Sequence, residues 1–193
     1  MAARQLQLMR HGTTGQPSYR GQIDDPLSAL GWQQSRAATA DREWDIVVSS
    51  TLQRCASFAH SLCNVRGIPL RLDARLVEYH FGDWQGRTIA DLECEEATHI
   101  AAYRADPQRH PPPRGEDFDA FGRRVAAALD SIATLPARRV LVVTHGAVIR
   151  WVQCHLAGLP FGAMAETGIA NASLHDIAWP VPRTPAVESN PVR

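Results

Sequence analysis

The sequence predicts a single α/β domain in three layers, a mainly parallel sheet with helices on both faces. Short apolar runs of strand character alternate along the chain with longer helical segments, the pattern of β-α-β connections. Two of the strands, Leu8-Met9-Arg10-His11-Gly12 and Val142-Val143-Thr144-His145-Gly146, end in the same His-Gly pair. Reactive side chains therefore collect at the carboxyl edge of the sheet, where proteins of this class bind ligands.

The elements follow in order. Leu6 to Met9 alternates and is cut off by Gly12, giving a strand that ends at Arg10-His11. A loop rich in Gly, Pro and Asp runs to Pro26. Ser28, preceded by Leu27 as a staple residue, caps a helix reaching about Asp41. Asp45 to Ser49 is a short buried strand, and Ser50 or Thr51 is expected to cap a helix through Val65. Ile68 to Leu72 alternates as a third strand, and Leu76 to Gly86 reads as a loop. A polar helix is expected from Thr88 to Ala105, stopped by the Pro-rich run of residues 106–115, a loop suited to covering a substrate. Phe118, Phe121, Val125, Leu129 and Ile132 recur at helical spacing behind Asp117 as N-cap. Arg139 to Thr144 is a buried parallel strand, Ala147 to Leu156 a helix closed by Gly158, and Ser173 to Ala178 a last strand. Residues 1–178 form the domain; four prolines after Trp179 predict an unpacked tail over 179–193.

Composition narrows the chemistry. With 45% hydrophobic and 21% charged residues, the 193-residue chain is globular and long enough for one full core. Twenty basic residues balance twenty acidic ones, so neither a nucleic-acid partner nor an anionic membrane surface is indicated. All the cations are Arg: the chain contains no Lys. Codon bias suffices to explain the imbalance, yet it rules out Schiff-base catalysis and a P-loop lysine whatever its origin. The remaining cations are planar, permanently charged forks that match phosphate and carboxylate. The first residues lack the apolar core of a signal peptide and no run reaches the ~18 apolar residues of a membrane span, so a soluble, cytoplasmic protein is expected. Cys55, Cys63, Cys94 and Cys154 show no C-x-x-C spacing and are expected as buried thiols, and the eight His show no metal-ligand spacing, so neither metal nor cofactor is predicted.

At the carboxyl edge, His11 and His145 join Arg10 and Arg54, the latter in the first turn of a helix whose N-terminus favours anions. Two imidazoles, two guanidiniums and two helix N-termini converging on one point suit a phosphate group.

These segments carry a resemblance. Arg10-His11-Gly12 is similar to the RHG signature of the histidine phosphatase superfamily, which includes the phosphoglycerate mutases. Ser49-Ser50-Thr51-Leu52-Gln53-Arg54 is similar to its SSPLxRA segment, Leu76 to Gly86 to its LxExxFGxWEG segment, and Thr144-His145-Gly146 follows in the same order. Residues 19–31 and His110 to Glu116 further resemble the α-ribazole phosphatase subgroup. Thr13, Thr51, Gln85 and Asp117 depart from these patterns at positions where Glu, Pro, Glu and Ser are usual, which bears on substrate preference and not on the core constellation.

The resemblance implies an α/β sandwich, phosphoglycerate mutase-like, and assigns roles. His11 is the nucleophile, its imidazole kept neutral by Arg10 and Arg54. Arg10, Arg54 and a charged His145 hold the phosphoryl oxygens, and Glu78 is the acid and later base, with Asp83 and Glu116 next in line. Gln22, Tyr19, Trp84 and Glu116 are expected substrate contacts, the aromatics (with Trp32) suited to stacking on a flat base. The implied activity is hydrolysis of a small nucleotide-like phosphomonoester such as α-ribazole 5′-phosphate, in cobalamin biosynthesis. Mutase-type phosphotransfer, broad-specificity hydrolysis and a phosphoprotein-binding module are the alternatives.

Overall fold

A computed structural model describes residues 5–164 and 168–180. Five strands, β1 (Gln5–Arg10), β2 (Ile46–Ser49), β3 (Leu70–Leu72), β4 (Arg139–Thr144) and β5 (Leu174–Ile177), form one sheet in the order β3-β2-β4-β1-β5. The first four run parallel; β5 pairs antiparallel with β1 at the edge. The alternation of β1 and β4 decides the layering. Leu6, Leu8, Val140 and Val142 point to one face and pack under α5 (Phe118–Ala133) and α6 (Gly146–Ala157). Met9, Leu141 and Val143 point to the other and pack under α1 (Ala29–Thr39) and α2 (Gln53–Arg66). Both faces of the central strands are thus dry, which is why Val140 to Val143 can be an unbroken apolar run.

Ser28 caps α1, accepting a hydrogen bond from Gly31 N, and Asp117 caps α5 through Ala120 N, both as the sequence predicts. Five expectations change. The N-cap of α2 is Leu52, with no side-chain cap; the Ser50 hydroxyl lies two residues earlier, accepting from Leu52 N and meeting His145. The helix expected over 88–105 is two, α3 (Ile89–Glu95) and α4 (Ala97–Ala105). The break falls at Glu96, whose carboxylate accepts hydrogen bonds from Trp84 Nε1 at 3.0 Å and from Arg87. A single 3-10 turn over Ala74–Leu76 leads into the loop from Leu76, and another over Gly82–Trp84 lies within it. Trp179, placed in the tail by its prolines, packs on the core and donates to Asp130 at 2.9 Å; the rest of the expected tail, 181–193, lies outside the described residues. Cys55, Cys63 and Cys154 are buried free thiols, whereas Cys94 is exposed. No helix among the described residues is long and apolar enough to cross a membrane.

Candidate active site

Strand register creates the site. Arg10 pairs with Thr144 at the last rung between β1 and β4, so the next residues, His11 and His145, leave the sheet side by side. Their rings meet edge to face with centroids 5.2 Å apart. The turn after His11 is fixed by a backbone crossing in which Gly12 lies so close to α1 that a Cβ would sit 2.1 Å from the Gly31 carbonyl oxygen. That turn places the Gly12 carbonyl 2.6 Å from His11 Nδ1. A carbonyl only accepts, so Nδ1 carries the proton and the lone pair resides on Nε2.

Arg54, in the first turn of α2, is 1% exposed and donates to the carbonyls of Ile23 at 2.7 Å and Gly21 at 2.6 Å. Arg10 donates to the Ile169 carbonyl. In both, the buried Nε has no partner among the described residues, leaving donor capacity on each fork. Burial first, then the charges of Arg54 and Arg10, depress His11 from its ordinary value to about 3 against the opposing Gly12 hydrogen bond. His145 is fully buried, with Nε2 2.8 Å from the Ser50 hydroxyl and 3.6 Å from the Cys55 sulfur. Its burial, and after that Arg54 and the other ring, hold it well below the usual histidine range. Within the protein alone both imidazoles are therefore neutral; the charge expected on His145 belongs to its pairing with a phosphoryl dianion.

A cavity of about 750 Å³ opens over these groups. Among its described lining residues are five arginines (Arg10, Arg20, Arg54, Arg104, Arg150) and a single carboxylate, Glu78. Asp25 pairs with Arg20 at 2.6 Å and Glu93 with Arg104 at 2.7 Å. The Glu78 carboxylate accepts from Ala147 N at 3.2 Å, in the first turn of α6, and lines the cavity. Tyr19, Phe81, Tyr103 and Phe161 supply an aromatic wall. No group of three or more His, Cys, Asp or Glu among the described residues is arranged to hold a metal.

A model of the histidine phosphatase superfamily (branch 1) matches residues 6–189. The chain belongs to this superfamily. As a histidine phosphatase it is a hydrolase of phosphate monoesters, and its relatives act on different ones. It is 33% identical to glucosyl-3-phosphoglycerate phosphatase of Mycobacterium tuberculosis over 90% of this chain and 84% of that protein. It is 32% identical to the adenosylcobalamin/alpha-ribazole phosphatase of Escherichia coli K12 over 82% of each. The solved structure of a mycobacterial glucosyl-3-phosphoglycerate phosphatase with VO3 superposes with a TM-score of 0.81 at 31% identity, covering 91% of both chains.

The phosphatase fold brings together Arg10, His11, Arg54, Glu78 and Tyr19 on the cavity and stands His145 behind His11. Gln22 lies outside the lining, donating to the Glu78 carbonyl at 3.1 Å. Gln22 is one of three expected substrate contacts that do not line the cavity. Trp84 is fully buried among Tyr19, Tyr103 and His99. Glu116 is turned away into an ion pair with Arg124, and exposed Asp83 pairs with Arg114. Of the arginines that sequence reasoning missed, Arg150 carried a usable signal, standing four residues after Gly146 and so on the same helix face. Arg20 and Arg104 reach the cavity only through tertiary folding.

Proposed function

We propose that this phosphatase hydrolyses a small phosphomonoester in two steps through a phosphohistidine on His11. The observation that carries the reading is the Nδ1 hydrogen bond to Gly12, which leaves a neutral Nε2 lone pair beside Arg10 and Arg54 in the cavity that Glu78 also lines. In the first step Nε2 bonds to phosphorus, the ester P–O bond breaks, and Glu78 delivers a proton to the leaving oxygen. In the second, water attacks phosphorus, Glu78 takes its proton, and the N–P bond breaks. Arg10 and Arg54 hold the phosphoryl oxygens as their charge redistributes, and His145, arriving neutral, gains its proton only when the phosphoryl dianion offsets the neighbouring cations.

For the substrate, the aromatic wall and the likeness over residues 19–31 support a nucleotide-like monoester such as α-ribazole 5′-phosphate. The excess of arginine over carboxylate in the cavity supports a second reading, a sugar phosphate with an additional carboxylate, as in the name of the mycobacterial relative. The deciding measurement is kcat/KM in EDTA across both compounds, 3-phosphoglycerate and p-nitrophenyl phosphate. The reading expects hydrolysis that EDTA leaves intact, and one of the two natural-type substrates preferred by at least an order of magnitude. Brief incubation with 32P-labelled substrate should yield an acid-labile, alkali-stable label absent from His11→Ala; a label persisting in that variant overturns the mechanism.

A further inference from the structure

The segment that carries Glu78 has little regular structure of its own. After the 3-10 turn at Leu76 the chain runs from Val77 to His80 as an irregular strip, and its carbonyls have no strand or helix to receive them. One side chain donates to two of the four and to the Arg75 carbonyl just before them. Arg124, in the second turn of α5, donates from Nη1 to the carbonyls of Arg75 and Val77, both at 2.7 Å, and from Nη2 to the carbonyl of Glu78 at 2.9 Å. Its remaining two N–H groups go to Glu116, Nε to Oε1 at 2.6 Å and Nη2 to Oε2 at 2.9 Å. All five guanidinium donors are used, in the planar geometry only Arg offers. Glu116 fastens the other end of the strip, with Oε2 accepting from His80 N at 3.3 Å and its backbone carbonyl accepting from the Tyr79 hydroxyl at 2.5 Å. Both ionised side chains are mostly buried, with 19% and 17% of their surface exposed, so the pair is rigid and costly to break.

We infer that Arg124, anchored by Glu116, is a positioning residue that sets where the Glu78 carboxylate stands relative to the leaving oxygen. The inference rests on the reading of Glu78 as the proton donor. Neither Arg124 nor Glu116 is among the cavity-lining residues, so Arg124 acts through the backbone of residues 75–78. Proton transfer requires approach within hydrogen-bond reach, and displacement of about 1 Å can cost on the order of a hundredfold in rate.

The test compares kcat/KM, which ends at departure of the leaving group and so excludes the second step, on two substrates. Glycerol 2-phosphate expels an alkoxide that needs a proton; p-nitrophenyl phosphate expels a stable phenolate that does not. Arg124→Lys keeps the charge and loses the fork. It should lose about tenfold or more on glycerol 2-phosphate and less than about threefold on nitrophenyl phosphate, a fraction of the 10²–10⁴ that general acid catalysis supplies. Added to Glu78→Gln, it should cost nothing further on glycerol 2-phosphate, because the group it positions is already gone. Equal losses on both substrates, or a loss that adds fully to that of Glu78→Gln, overturn the positioning role. If Glu78→Gln itself falls equally on both substrates, Glu78 is not the acid and the inference fails with that reading. Thermal unfolding checks that each variant is folded; should Arg124→Lys fail there, Glu116→Gln, which frees one end of the same tether, must give the same split between substrates.

Discussion

The lone pair on His11 Nε2 depends on two features of one ring. The Gly12 carbonyl fixes the tautomer at 2.6 Å, and burial together with Arg54 and Arg10 prevents protonation. NMR of labelled histidines should therefore find His11 and His145 neutral from pH 8 down to pH 5, while a chemical shift moving near pH 6.5 in either would contradict this. Stability follows the same protons. The unfolded chain binds one at His11 near the ordinary value of 6.5, which the folded state refuses until about 3. The contribution of His11 is thus fully present above pH 6.5 and is lost as pH falls from there toward 3, and His145 acts in the same direction. Urea midpoints should drop between pH 7 and pH 5, and His11→Gln should flatten that drop; an unchanged slope would mean the ring is already protonated. Arg54 is a separate case, because its fork is held by the Gly21 and Ile23 carbonyls while it lines the cavity. Arg54→Ala should lower kcat by roughly 10²–10³, as loss of one transition-state donor does, and a loss below tenfold in steady-state assays would remove it from the phosphate site.

At the scale of elements, the site depends on α1 lying against the turn after β1. The contact between Gly12 and Gly31 is backbone on backbone, so no rotamer can relieve an added methyl. Gly12→Ala should cost about 1–3 kcal/mol in urea unfolding, the range of overpacking, and should lower activity beyond the stability loss because the carbonyl that holds His11 moves. Asp117→Ala, which removes only the cap of α5, should cost about 1 kcal/mol without changing the ratio of activities on alkyl and nitrophenyl esters; a changed ratio would tie the helix end to Glu78. Such local devices were legible. Ser28 and Asp117 announce their helices, and the two His-Gly strand ends announce the phosphate edge. What escaped reading was set by partners distant in sequence. Glu96 breaks a helical pattern because Trp84 and Arg87 claim its carboxylate, and the Ser50 hydroxyl is drawn to His145 at the end of the neighbouring strand. Glu116 looked like a substrate ligand in its Pro-rich context, and nothing near it in sequence points to Arg124.

For the whole molecule, a chain of zero formal charge presents a cationic cavity. Acidic residues that balance the total are spent elsewhere, on rim partners such as Asp25 and Glu93 and on remote pairs such as Asp45 with Arg139. The parallel sheet makes this possible by bringing strand ends and helix N-termini to one edge, an arrangement readable from the alternation of strands and helices, whereas the antiparallel β5 gave no local sign. A cavity so built should bind the product anion. A ligand bound by the folded state alone stabilises it by about 2.7 kcal/mol at a hundred times its dissociation constant, so inorganic phosphate at that excess should raise the melting temperature accordingly. Chloride at matched ionic strength should produce much less, because bidentate forks match phosphate oxygens and not a spherical ion. Arg54→Ala should remove most of the shift while Arg139→Ala, on the opposite end of the sheet, should leave it whole. Equal shifts in both variants would mean that phosphate acts through general surface charge and that the edge defined by His11 and His145 is not its site.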